Sequence, residues 1–166
     1  YFDNSVFDFY GALFSGACLA PVGEATVRDP GALLDAVERA GCTVWFSVPS
    51  LLIYLNRLKV LSGDRLAELR WIIFGGEGYP KAELARLWRA FGSRTRLVNV
   101  YGPTECTCIC SAFDIGEDLF ADLEGLPPLG RLNENFSGLV LDGERPAAEG
   151  EMGELCLLGP NVGAGY

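Results

Sequence analysis

Three helical stretches alternate with three extended ones between residues 30 and 100, and this alternation most narrows what the chain can fold into. Residues 30–40 (PGALLDAVERA) carry Leu33, Leu34 and Val37 on one face. Asp29 stands at the N-cap, Pro30 at the first helical position and Gly41 at the stop. Residues 43–48 (TVWFSV) form a β-branched and aromatic run, and Pro49 opens a helix over 50–58. The unit then repeats. Residues 69–74 (LRWIIF) read as a buried strand, 75–78 (GGEG) as a loop, 81–91 as an amphipathic helix with Leu84, Leu87, Trp88 and Phe91, and 96–100 (RLVNV) as a strand. Strands separated by helices of this length pair in parallel through right-handed crossovers.

The expected fold class is therefore α/β, a layered and largely parallel sheet flanked by helices. A helix is predicted over 6–14 after Ser5, and a strand over 17–22. Beyond residue 116 an acidic loop and the turn Leu126-Pro127-Pro128-Leu129-Gly130 lead to extended runs at 136–141 and 153–158. These read as the start of a small antiparallel β unit. The expected organisation is an α/β subdomain over residues 1–125 and the beginning of a β-rich subdomain over 126–166.

Charge removes some function classes. Net charge is −9, against a nucleic-acid partner, which needs clustered Lys and Arg to neutralise phosphates. The chain has no histidine, so its own residues offer no imidazole general base. No apolar run approaches the roughly 20 residues of a membrane span, and no signal peptide is seen. The six cysteines include no CxxC pair. They read as small buried residues of a reducing, cytoplasmic compartment. Cys106, Cys108 and Cys110 alternate and are expected on one face of an extended segment, where a thiolate metal site is a remote alternative.

In parallel α/β sheets, ligands bind beyond the carboxyl ends of the strands. That rule brings three loops to one crevice: Ser47-Val48-Pro49-Ser50, Gly75-Gly76-Glu77-Gly78, and Tyr101-Gly102-Pro103-Thr104-Glu105. In the last, Tyr101 offers a flat face to a nucleobase. Thr104 offers a hydroxyl to a phosphate oxygen, and Glu105 a hard carboxylate to Mg²⁺. The same five residues also suit a capped turn with Tyr101 in the core, and the residues alone do not choose. The paired glycines permit close approach of a ligand but lack dinucleotide-site spacing.

Three motifs then point to a family. Phe2-Asp3-Asn4-Ser5, Asn99-Val100-Tyr101-Gly102-Pro103-Thr104-Glu105, and Gly153-Glu154-Leu155-Cys156 with Gly159 and Gly165-Tyr166 occur in that order. The chain resembles the adenylate-forming (AMP-binding) superfamily, in particular amino-acid adenylation domains of nonribosomal peptide synthetases and stand-alone D-alanine–carrier protein ligases. The resemblance implies ATP and Mg²⁺ as cofactors, an amino-acid substrate, and a peptidyl or acyl carrier protein bearing phosphopantetheine as partner. It implies that Tyr101 stacks on adenine, Asn99 bonds its amino group, Gly76, Glu77 and Gly102 border the nucleotide, Thr104 touches the α-phosphate and Glu105 holds the metal. Asp3 would pair with the substrate ammonium, and Asn4, Phe7, Phe46, Ile73, Gly75, Val100, Cys108 and Ile109 would line the side-chain pocket.

The apolar lining leads to an aliphatic substrate side chain, or a β-amino acid if Asn4 shifts the amine. Gly75 is expected to leave space at the pocket floor, so that Gly75→Leu would favour smaller side chains. Without substrate, Asp3 also reads as a cap of the first helix. The family's phosphate loop, ribose-binding aspartate and carboxylate-contacting lysine are expected outside these residues, and the 166-residue chain by itself is expected to be inactive. Two rivals stand beside this reading: a part of an acyl- or aryl-acid CoA ligase, for which Asp3 has no partner, and a non-catalytic specificity module.

Overall fold

The computed structural model describes residues 4–166. In chain order these give α1 (Asn4–Phe14), α2 (Glu24–Val27), α3 (Pro30–Arg39), β1 (Val44–Ser47), α4 (Pro49–Arg57), β2 (Trp71–Gly75), α5 (Lys81–Phe91) and β3 (Arg96–Tyr101). Then follow β4 (Ser111–Asp114), β5 (Arg131–Leu132), β6 (Ser137–Asp142), β7 (Arg145–Pro146) and β8 (Glu154–Leu158), with short 3₁₀ turns at Thr104–Cys106 and Glu117–Ala121.

The expected helices form for the expected reasons. Asp29 caps α3 by accepting the amides of Gly31 and Ala32 at 2.9 and 3.1 Å. Gly41, at φ +58°, ends the helix in a left-handed conformation that a side chain would disfavour. Leu33, Leu34 and Val37 of α3, Leu52 and Leu55 of α4, and Leu84, Leu87 and Phe91 of α5 enter one core with Ile72, Phe74 and Leu97. Truncating a fully buried leucine such as Leu34 costs about 2–5 kcal/mol.

β1, β2 and β3 pair in parallel, with Phe46 beside Ile73, Ile73 beside Val98, and Gly75 beside Val100. Because side chains alternate across a strand, Phe46, Ile73, Gly75 and Val100 share the face opposite the helical core. α1 approaches that face, and the Phe7 ring meets Phe46 edge-on at 4.9 Å.

Beyond β3 the sheet turns antiparallel. β4 pairs with β3 and β5 with β4, making a five-stranded mixed sheet in the order β1-β2-β3-β4-β5. β6, β7 and β8 form the small antiparallel sheet, with β6 central. Phe136 packs with Cys106 and Cys110 in a second apolar cluster, joining this sheet to the loop after β3.

Two expectations are corrected. Residues 17–22 are mostly exposed coil, with no strand beside them among the described residues to complete a hydrogen-bond ladder. Residues 106–110 are not extended: Cys106 ends a 3₁₀ turn, and Thr107 and Cys108 take left-handed φ values of 57° and 76°. The cysteines consequently part, Cys106 and Cys110 entering the cluster with Phe136 while Cys108 lines a cleft. Among the described residues no group of His, Cys, Asp or Glu could hold a metal ion as a three-ligand set, and no helix is long and apolar enough to cross a membrane.

Candidate functional site

The carboxyl ends of β1, β2 and β3 open on a cleft of about 180 Å³. Asn4 from the start of α1, Phe46 from β1, Gly75 from β2, Val100 from β3, and Cys108 and Ile109 from the next loop line it. Gly76, Gly102 and Thr104 complete the wall together with Pro103, which was not among the expected site residues. All of these side chains are uncharged. The volume is below the roughly 300–1,000 Å³ of a drug-sized site and suits one small side chain.

Glycine is required at two wall positions. A Cβ on Gly102 would stand 1.5 Å from the carbonyl oxygen of Cys108, so only glycine lets the loop fold back over the end of β3. Gly75 is also closely hemmed in, its Cβ position lying 2.3 Å from the Val100 carbonyl oxygen and 2.7 Å from Val100 Cγ2.

The remaining expected residues lie outside the cleft wall. Phe7 reaches it through Phe46. Ile73 lies on the same sheet face, one pleat back from Gly75. Asn99 lies on the opposite face and is buried; its Nδ2 donates to the Pro128 carbonyl at 2.9 Å, which orients the amide. Glu77 turns its carboxylate to the amide of Ser50, 3.0 Å away, in the first turn of α4. Its side chain thereby joins the loop after β2 to the loop after β1. Asp3 lies outside the described residues.

Tyr101 is half-buried against the Cys106, Cys110 and Phe136 cluster, and this burial pushes its phenol above the usual tyrosine range. Its carbonyl accepts the Cys110 amide at 2.9 Å. Glu105 follows on the 3₁₀ turn, and its carboxyl is held below the usual range by its own main-chain amide and then by the Tyr166 hydroxyl, which donates to Oε1 at 2.9 Å. Sequence reasoning missed this contact and the Ser50–Glu77 one. They span 61 and 27 residues, and no local pattern marks either pair.

The profile of the family described as "AMP-binding enzyme" matches residues 1–166. An L-proline–[L-prolyl-carrier protein] ligase of Pseudomonas fluorescens is 36% identical over 170 residues, covering 100% of this chain and 33% of that protein. A D-alanine–D-alanyl carrier protein ligase of Bacillus licheniformis is 30% identical, covering 99% and 33%. The solved structure of PA1221, described as an NRPS protein containing adenylation and PCP domains, superposes with a TM-score of 0.85 at 28% identity, covering 99% of this chain and 32% of that one. The chain thus spans about a third of the length of the curated relatives it matches.

Proposed function

Because the chain belongs to the AMP-binding enzyme family, we propose that residues 1–166 are the substrate-selecting and adenine-binding part of an amino-acid adenylation domain. The complete enzyme joins a carboxylate to ATP, releasing pyrophosphate and forming an aminoacyl-adenylate. It then transfers the aminoacyl group to the phosphopantetheine thiol of a carrier protein. The observation that carries this reading is an uncharged cleft at the carboxyl ends of three parallel strands, walled on one side by the Gly102-Pro103-Thr104 turn that leads into Glu105.

In this proposal Phe46, Val100 and Ile109 receive an aliphatic side chain, while Asn4 and Asp3 meet the amine, whether α or β. Asn99, with Nδ2 committed to Pro128, keeps Oδ1 as the atom that accepts from the adenine amino group. Tyr101 presents its ring to the base, and Thr104 its hydroxyl to the α-phosphate.

Glu105 fits a metal that arrives with its nucleotide. Mg²⁺ is usually held by one or two carboxylates and substrate phosphates, and the described residues around Glu105 form no larger acidic cluster. When bound, the ion supplies charge neutralisation at the phosphates. The residues of this chain contribute orientation, and none serves as a covalent nucleophile for the adenylation step in this proposal.

An amino-acid panel in ATP–pyrophosphate exchange with the complete enzyme tests the assignment. Preference for an aliphatic α- or β-amino acid is expected. Preference for Asp, Glu, Lys or Arg would reject it, because the lining offers no charge to pair with theirs.

A further inference from the structure

The segment after β8 returns across the turn that follows β3 and grips it at three points. The Gly163 amide donates to the main-chain carbonyl of Glu105 at 2.7 Å. The Thr107 hydroxyl donates to the Asn161 carbonyl at 3.0 Å. The Tyr166 hydroxyl donates to Glu105 Oε1 at 2.9 Å. The segment is itself anchored on the small sheet's side, where Asn135 Nδ2 donates to Asn161 Oδ1 at 2.9 Å. Glu105 is therefore held twice by one strand of chain, through its main chain and through its side chain.

From this arrangement we infer that residues 161–166 are a strap that fixes the turn after β3, and that Tyr166 is a positioning residue for the Glu105 carboxylate. The inference rests on the proposed reading of Glu105 as the Mg²⁺ ligand. A glutamate side chain rotates about three torsions, and an exposed one samples many placements of its oxygens. A hydroxyl donated to Oε1, beside the bond that the carboxylate accepts from its own main-chain amide, removes much of that freedom. Groups that orient a ligating side chain in this way contribute to metal affinity almost as the ligands do. The arrangement also explains a division of labour along the chain. The hydrogen bonds given above for residues 161–166 go to Glu105, Thr107 and Asn135 and not to the side chains lining the cleft, so their effect should fall on the metal and not on the amino acid.

The test is a Mg²⁺ titration of ATP–pyrophosphate exchange in the complete enzyme, comparing the parent with Tyr166→Phe and Glu105→Gln. Removing the hydroxyl should raise the Mg²⁺ concentration for half-maximal exchange about tenfold and leave KM for the amino acid unchanged. Tyr166 is exposed, so the phenylalanine variant folds without loss of core packing. A second readout needs no metal: amide hydrogen exchange of the 166-residue chain, in which the Gly163 amide should exchange several-fold faster in Tyr166→Phe. An unchanged Mg²⁺ requirement in Tyr166→Phe, with the metal response lost in Glu105→Gln, would overturn the positioning role and leave the proposed function standing. An unchanged requirement in Glu105→Gln would instead remove Glu105 from the metal site, and the role of Tyr166 with it.

Discussion

A Cβ on Gly75 would stand 2.3 Å from the carbonyl oxygen of Val100, its neighbour in the parallel ladder. The residue at the cleft floor is thus constrained by strand backbone before any substrate enters. The expected Gly75→Leu shift towards smaller substrates acquires a second consequence, since even alanine forces β2 and β3 to shift. Gly75→Ala should lower stability by about 1–3 kcal/mol, read as a reduced denaturation midpoint. An unchanged midpoint would mean that the two strands yield without strain.

Glu77 does for α4 what Val48 does not. Val48 is the N-cap and has no side-chain acceptor, while the Glu77 carboxylate takes the Ser50 amide at 3.0 Å. Glu77→Ala should cost about 0.5–1 kcal/mol, the lower part of the range for lost caps because the site is exposed. Glu77→Gln keeps an acceptor oxygen and should retain most of that stability. Equal unfolding curves for parent, alanine and glutamine variants would show that the cap contributes nothing.

Acid should weaken the packing of α3 against the segment before β2. The Arg65 guanidinium hydrogen-bonds Glu38, and the Leu66 amide adds a second donor. Together they hold the Glu38 carboxyl at about 2, below its ordinary 4.5. A carboxyl lowered in the folded state contributes stability that is complete above 4.5 and is lost as pH falls towards 2. Melting temperature should decline across that window, and Glu38→Gln should make the decline shallower. Identical slopes in parent and variant would assign the acid sensitivity to other groups.

Asp3 separates the amino-acid reading from the acyl-acid one. In the complete enzyme, Asp3→Ala leaves a substrate ammonium unpaired, at a cost of about 3–5 kcal/mol by analogy with broken buried pairs. That corresponds to roughly two to four orders of magnitude in kcat/KM. Unchanged kcat/KM would favour an acid without an amine.

Much of the parallel half of the sheet was legible because its signals are local. The Asp29 cap, the Pro30 and Pro49 helix starts, and the apolar spacing of α5 each lie within one or two turns of the element they specify. The strand of β4 was missed because residues 111–114 (SAFD) are too short for a periodic signal, and its pairing with β3 depends on how residues 102–110 fold back. That reversal needs Gly102, whose close approach to Cys108 a sequence does not display. The alternation of Cys106, Cys108 and Cys110 misled for a related reason. A period of two implies one face only while the backbone stays extended, and Thr107 and Cys108 are left-handed.

By itself the sequence determined the helices α3, α4 and α5 and the parallel strands β1, β2 and β3, and, through the common direction of those strands, that three loops meet at one edge. Those outcomes follow from capping, turn chemistry and periodic burial, all read within about ten residues. Only the tertiary structure decided which polar side chains serve as supports of the cleft and its loops. Asn99 turns to Pro128, Glu77 to Ser50 and Glu105 to Tyr166 across separations of 29, 27 and 61 residues. Such contacts depend on sheet order and on where each connection closes, and no periodicity in the intervening residues encodes them.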